Sequence, residues 1–282
     1  MIDFLFSFDN SLQQFFVKSL IKYRKEADGT QKIFFGNWGT LVTIGLTYSG
    51  FCPVETERYF IVVLGGPLPR QDFTVATNEK PDDVTRWIMD HWKIRKDLVW
   101  DEDLVGHFLV VCVDKEKKCI ELVTDINAFV PYYEYQPVGE NIKKELALGS
   151  HADALALVTG QEKNIDPVSV ADFLTFNSMT FPYTMYRNIR QSFPASIICY
   201  YSSGEKVIDQ YWIPFERPCT MTFRQAAKEL REIVRANVER ICAGQKTVGM
   251  LISGGEDSRA IASMIPPSVS TMAVTFIDSI NR

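Results

Sequence analysis

The tightest constraint on this chain lies near its end, in Ser253-Gly254-Gly255-Glu256-Asp257-Ser258. An apolar run over residues 248–252 comes before these residues, and a stretch of helical character follows until Pro266 and Pro267. The pattern predicts a short buried strand at 248–252, a turn of small residues, and a helix over 256–264. Such a turn is an anion cradle. Gly254 and Gly255 let the backbone bend and approach a ligand, and the first amides of the helix have no intrahelical acceptor, so they point outward. Ser253 and Ser258 add hydroxyl donors. Asp257 beside a polyphosphate makes sense as the ligand of a hard cation such as Mg2+, because a bare carboxylate would repel phosphate. The same residue types serve in ordinary turns, and the flanking strand and helix favour the phosphate reading. No Gly-Lys-Ser or Gly-Lys-Thr follows, so the loop is not a Walker A sequence.

The 282 residues, 46% of them hydrophobic, predict one large or two ordinary domains with a real core. A net charge of −5 without a Lys/Arg block argues against nucleic acid as a principal partner. No apolar stretch is long enough to span a membrane, and Asp3 and Asp9 interrupt the Phe-rich start, unlike a signal peptide. A cytoplasmic protein with reduced thiols is expected, since the six cysteines form no close-paired framework. His91, His107 and His151 have no metal-ligand spacing.

Strands are predicted at 38–46, 59–64, 108–113 and 119–123, with a charged hairpin turn at 114–118. Residues 81–96 read as a helix carrying Val84, Trp87, Ile88 and Trp92 at helical spacing, both tryptophans being core residues. Asp166-Pro167 caps a short helix over 168–176, and Ser202-Ser203-Gly204 turns a hairpin between 196–201 and 206–212. Prolines and charges at 214–219 mark a boundary. Beyond it Thr222 and Gln225 have capping-box spacing, and Phe223, Ala226, Leu230, Ile233, Val234 and Ile241 form an apolar stripe expected to pack on a nucleotide-binding sheet. A further strand is predicted at 271–276.

With these residues in place the chain resembles the asparagine synthetase family, whose synthetase domain carries Ser-Gly-Gly-x-Asp-Ser in its ATP pyrophosphatase loop. Tyr211-Trp212 is similar to the Tyr-Trp that precedes that domain, and residues 189–201 to the strand approaching it. Gly106-His107-Phe108, Asp114, Thr124-Asp125 and Pro131-Tyr132-Tyr133 are similar to the family's glycine-phenylalanine strand, hairpin and Arg-Asp-x-x-Gly-x-x-Pro-Leu-Tyr-Tyr segment. The resemblance implies an α+β fold: an N-terminal Ntn-like α-β-β-α sandwich in residues 1–215, glutaminase-like, followed in 216–282 by the start of an α/β nucleotide-binding domain of the adenine nucleotide α-hydrolase type.

The departures bear on activity. The family's glutaminase nucleophile is a cysteine directly after the initiator Met, and Ile2 follows Met1 here. That chemistry uses the thiolate with its own α-amino group as base, which Cys112 and Cys119 inside the chain cannot do. Val62-Val63-Leu64-Gly65-Gly66 replaces the family's Asn-Gly-Glu segment, Thr124 stands for its Arg, and Ala128 for its Gly. A glutaminase-like domain without glutamine hydrolysis is expected. Two strands and two helices do not complete a doubly wound domain, so the chain is expected to be a fragment or a truncated paralogue.

For the complete protein the resemblance implies carboxylate adenylation by ATP, then attack by an amine with release of AMP and pyrophosphate. Ser253, Gly254, Gly255 and Ser258 would hold the pyrophosphate, Asp257 the Mg2+, and the backbone near Leu251 the adenosine. The acceptor would be a small-molecule or peptide carboxylate and the donor ammonia or a substrate amine, with asparagine biosynthesis one possibility. Two other readings stay open at this point: a non-catalytic nucleotide-binding module, and another pyrophosphatase-loop enzyme such as an RNA thiolase or a GMP synthetase relative.

Overall fold

The computed structural model describes residues 3–23, 31–45, 50–70, 83–137, 146–216 and 218–275. The chain divides into two units, Met1–Pro214 and Phe215–Arg282. The first runs β1 (Asp3–Ser7), α1 (Gln13–Tyr23), β2 (Lys32–Gly36), β3 (Gly39–Ile44), β4 (Val54–Glu55), β5 (Tyr59–Gly65), β6 (Leu68–Pro69), α2 (Val84–Met89), α3 (Trp100–Asp103), β7 (Leu104–Val105), β8 (Phe108–Asp114) and β9 (Cys119–Thr124). It continues through β10 (Tyr133–Tyr135), β11 (Ala147–Gly149), α4 (Ala152–Val158), α5 (Pro167–Phe176), β12 (Ile189–Gln191), β13 (Ser196–Tyr201) and β14 (Lys206–Gln210).

Two six-stranded sheets form, ordered β12-β10-β11-β1-β3-β2 and β14-β13-β9-β8-β5-β4. Their ladders are antiparallel. Alternation along each strand assigns its two faces to two different cores. Phe4 and Phe6 of β1, Leu41 of β3, Phe60, Val62 and Leu64 of β5 and Val111 of β8 meet between the sheets. Leu5, Val42 and Ile44 point the other way, onto Phe16 and Leu20 of α1 and Ala154–Ala156 of α4. Ile61, Val63, Val110, Cys112 and Val123 face Val84, Ile88 and Met89 of α2. The result is an α-β-β-α sandwich. It explains why the central strands read as unbroken apolar runs: both faces are covered, so neither carries a polar alternation.

The predicted strands at 59–64, 108–113, 119–123 and 196–201 correspond to β5, β8, β9 and β13. Strand 38–46 is found as Gly39–Ile44, with Leu46 outside the described residues. The expected strand over 189–201 is two strands in different sheets, β12 and β13, because the chain crosses between layers at Phe193–Ala195. The predicted helix over 81–96 is also altered. Pro81 lies outside the described residues, α2 starts after Asp83, whose carboxylate accepts from the Thr85 amide at 3.0 Å, and the last turns, Asp90–Arg95, are a π-helix closed by Lys96 at φ 61°. Trp92 packs edge-on against Trp100, with ring centroids 5.1 Å apart. The wider turn changes which side chains face the sheet, and Lys93 is one of them.

Asp114 holds the hairpin after β8. Its carboxylate accepts from the Glu116 and Lys117 amides at 3.1 and 2.9 Å and pairs with Arg58 at 2.9 Å. Burial alone would raise this carboxyl's pKa; the Arg58 hydrogen bond, the amides of Lys117 and Glu116, and the Arg58 charge together outweigh burial and hold it below its ordinary value. A depressed pKa contributes stability that is full above the unfolded value, near 4, and lost as pH falls through the folded one. The expected result is an unfolding midpoint that is flat in this contribution from pH 7 to about 5 and falls below about pH 4. Asp114→Asn should lower stability at neutral pH and shallow that acid limb; a limb of unchanged depth would contradict the assignment.

The second unit holds α6 (Phe223–Cys242), β15 (Thr247–Leu251), α7 (Glu256–Ala262) and β16 (Ser270–Val274). The capping box forms, with the Thr222 hydroxyl accepting from the Gln225 amide and the Gln225 side chain from the Thr222 amide. The apolar stripe of α6 is not covered as expected. Val238 and Cys242 are buried, whereas Phe223 is 90% exposed and Leu230, Ile233 and Ile241 stand largely in solvent. Two five-residue strands, spaced about 5 Å apart, offer a face much smaller than the stripe of a 20-residue helix, which is about 30 Å long. Among the described residues, no helix is long and apolar enough to cross a membrane.

Candidate functional site

β15 and β16 pair in parallel, Val248 opposite Thr271 and Leu251 opposite Val274, with α7 as the crossover between them. The ladder extends to the Ile252 amide, which donates to Val274 O at 2.9 Å, and Thr275 Oγ1 donates back to Ile252 O at 2.8 Å. The chain then leaves the strand as Ser253-Gly254-Gly255 and enters α7 directly. Gly255 is the N-cap residue, at φ −75° and ψ 163°, and offers no side-chain acceptor to the first amides of α7. Those amides keep their hydrogen-bonding capacity for something else.

The two serines do more for the loop itself than the sequence implied. Ser253 Oγ and Ser258 Oγ lie 3.2 Å apart, the Ser253 and Gly255 amides donate to Ser258 Oγ and Ser253 Oγ at 3.2 Å, and Ser258 Oγ reaches Ser253 O at 3.2 Å. Arg259 Nε donates to Gly255 O at 3.2 Å. The hydroxyls therefore set the curvature expected of the glycines. Neither Gly254 nor Gly255 has a positive φ. A Cβ on Gly254 would meet no atom within 4 Å, and one on Gly255 only Ser253 Oγ, at 3.2 Å. The fold does not need a glycine at 254, and the space beside it is open to a ligand. Asp257 stands exposed on the first turn of α7, and Leu251, 64% exposed, ends β15 beside the loop.

In the first unit, Val62 and Leu64 are buried between the sheets and Val63 beneath α2, so the segment that the resemblance aligned with a glutamine-binding stretch presents no polar side chain. Gly65 is fixed by packing: it sits at φ +90°, and a Cβ would fall 2.1 Å from His107 O. Asp125 is buried and spent on its turn, accepting from the amides of Phe108 at 3.1 Å, Asn127 at 2.9 Å and Phe129 at 3.3 Å. Thr124 donates its hydroxyl to Phe193 O at 2.7 Å, and Tyr211 OH donates to Thr124 O at 2.7 Å. Ala128 has φ 50°, in the left-handed region where a glycine would be unstrained. Met1 and Ile2 lie outside the described residues; neither side chain is a nucleophile. A cleft of about 260 Å³ remains at the strand ends, bounded by Arg70, Trp100, Gly106, His107 and Asn127.

Two buried polar clusters carry no local sequence signal. Tyr132 OH lies 3.1 Å from Tyr200 OH, which donates to Glu134 Oε2 at 3.0 Å, and Lys206 pairs with the same carboxylate. Burial pushes both phenols far above their ordinary pKa, so they stay neutral donors. The second cluster gathers Cys119, Glu121, Cys199 and Lys93.

Residues 96–212 match the family model of a glutamine amidotransferase domain. A search of curated proteins returns no match. Among solved structures the chain is similar to glutamine phosphoribosylpyrophosphate amidotransferase from B. subtilis complexed with ADP and GMP, at 9% identity and a TM-score of 0.45 over 97% of this chain and 65% of that one. It is similar also to a structure described as the allosteric regulatory enzyme of purine biosynthesis, at 10% identity and a TM-score of 0.45, with the same coverage. The chain thus spans less than two thirds of the length of those structures.

Proposed function

We propose that this protein is an asparagine synthetase-related, ATP-dependent amide ligase whose amidotransferase-like sandwich does not hydrolyse glutamine. The observation that carries the proposal is the 253–258 loop: it leaves a parallel strand, enters α7 uncapped, and keeps open space at Gly254 that a Cβ would occupy. The amidotransferase match over residues 96–212 supports the pairing of such a domain with the loop. In this reading the loop amides hold the pyrophosphate end of ATP while a substrate carboxylate attacks the α-phosphate, giving an acyl-adenylate and pyrophosphate. Ammonia or a substrate amine then displaces AMP. Gly254 and Gly255 admit the phosphates, Ser253 and Ser258 keep the loop curved, and the backbone at Leu251 faces the adenosine. The exposed carboxylate of Asp257 fits Mg2+, which when bound offsets the charge of the departing pyrophosphate. The acceptor is a small-molecule or peptide carboxylate, nucleic acid and membrane are not partners, and the compartment is the cytoplasm.

A nucleotide-binding module without turnover is favoured by one observation, the engagement of both serine hydroxyls within the loop. Incubating the full chain with Mg-ATP, ammonium and a panel of carboxylates separates the two. Carboxylate-dependent AMP and pyrophosphate are the expected products; saturable ATP binding without AMP would establish the module instead. Glutamine in place of ammonium should give no glutamate above background, since Ile2 stands where the resemblance places the nucleophilic cysteine and Val62, Val63 and Leu64 are core. Enzymatic assay of glutamate decides this, and sustained release would remove the non-hydrolytic reading.

A further inference from the structure

The π-helical end of α2 lies over the outer face of the second sheet, where three metal-ligand groups converge. Cys119 and Glu121 are two residues apart on β9 and so share a face, and Glu121 lies directly opposite Cys199 of β13. Both sulfurs and a Glu121 oxygen fall within 4.8 Å of one another. In a tetrahedral site with Zn–S near 2.3 Å, donor atoms stand about 3.5–3.8 Å apart. Small rotations about the side-chain bonds bring the three to that spacing. We propose that Cys119, Glu121 and Cys199 form a binding site for a thiophilic divalent cation of the Zn2+ class.

Charge and access agree with this occupant. Cys119 is buried, Cys199 half-buried, and the Glu121 and Lys93 side chains are 17% and 9% exposed. Lys93 pairs with Glu121 while its ammonium sits 3.5 Å from the centre of the Trp92 ring, fixed by the π-turn. Two thiolates, one carboxylate and this ammonium leave two negative charges, which one divalent cation cancels. Without the cation the Lys93–Glu121 pair remains, so the carboxylate keeps a partner in both states. Soft thiolates select Zn2+ over Mg2+ or Ca2+. A cleft of about 340 Å³ opens the carboxylate side to solvent, giving a route in and room for water as the fourth ligand; of its cations, Arg58 and Lys93 are paired with Asp114 and Glu121, and Lys96 and Lys117 also line it. Lys93 then acts as the outer partner of the ligating carboxylate. The alternative use of two such thiols is a disulfide, but Cys119 lies opposite Tyr201, so the cysteines are diagonal across the ladder.

The test is Co2+ titration of the reduced, chelator-treated full chain. Thiolate-to-Co2+ charge-transfer absorption with tetrahedral band intensity, saturating at one ion per chain and displaced by Zn2+, is expected. Cys199→Ser should lose the charge-transfer band and bind at least about 100-fold more weakly, and Glu121→Gln about 10- to 100-fold more weakly. Cys52→Ser and Cys219→Ser should bind as the parent does. Far-UV circular dichroism confirms that Cys199→Ser is folded; its half-exposed position makes this the variant that decides. The site is refuted by a parent protein with no saturable band, by a band unchanged in Cys199→Ser, or by a Cys119–Cys199 disulfide that forms in air and persists when Zn2+ is present.

Discussion

Gly254→Val will abolish Mg-ATP binding by the full chain, weakening it by at least about 100-fold, and will leave the unfolding midpoint where it was. Both halves of this outcome follow from one measurement of space. A Cβ at 254 meets nothing of the protein within 4 Å, so the fold has no objection to a branched side chain there. In the ligase reading the added methyls occupy the open volume beside the loop that the phosphates would take. A factor of 100 corresponds to about 2.7 kcal/mol, modest for excluding a triphosphate from a backbone cradle. Isothermal calorimetry with ATP and Mg2+, alongside a thermal melt, checks both parts. If the valine variant binds ATP as the parent does, the loop is a turn and the ligase reading fails with it. Asp257→Asn on the same protein should lower affinity in Mg2+ much more than in its absence.

Gly65→Ala has the largest expected effect on stability, a loss of about 3–5 kcal/mol, although it adds a single methyl group. Gly65 ends β5 at φ +90°, where the new Cβ would stand 2.1 Å from His107 O and 3.1 Å from Phe108 Cα. Backbone atoms cannot rotate away as a side chain can, so the β5–β8 ladder must part at its end, where Gly65 lies opposite Phe108. For a unit of this size the melting temperature should drop by about 10 °C or more. Gly66→Ala is the control: its Cβ meets nothing within 4 Å, and its midpoint should hardly move. Equal losses in the two variants would show that the contact with His107 does not set the cost.

These glycines illustrate how much can be read from the letters alone. Gly65-Gly66 and Gly254-Gly255 look alike as dipeptides, yet one pair contains a position locked by a neighbouring strand and the other lines an open loop. Only the partner strand, 42 positions away in the chain at His107, tells them apart. The 253–258 loop could be read because its strand, turn and helix are contiguous. Its internal bonding could not, since whether a serine hydroxyl faces a ligand or the other serine depends on dihedral angles that residue type leaves open.

The sequence by itself determined what short-range physics controls. β-Branched and aromatic residues marked β5, β8 and β9 as strands, and Asp166-Pro167 and Thr222 with Gln225 set their helix starts through bonds spanning two or three residues. The tertiary structure alone decided what depends on distant partners. The register of β13 on β9 places Cys199 beside Glu121 although 78 positions separate them, and the π-turn swings Lys93 onto the same spot. The stripe of α6 was legible as apolar, but its exposure follows from how little sheet β15 and β16 provide. Periodicity specifies which residues share a face, whereas strand pairing and the packing of layers specify what that face meets.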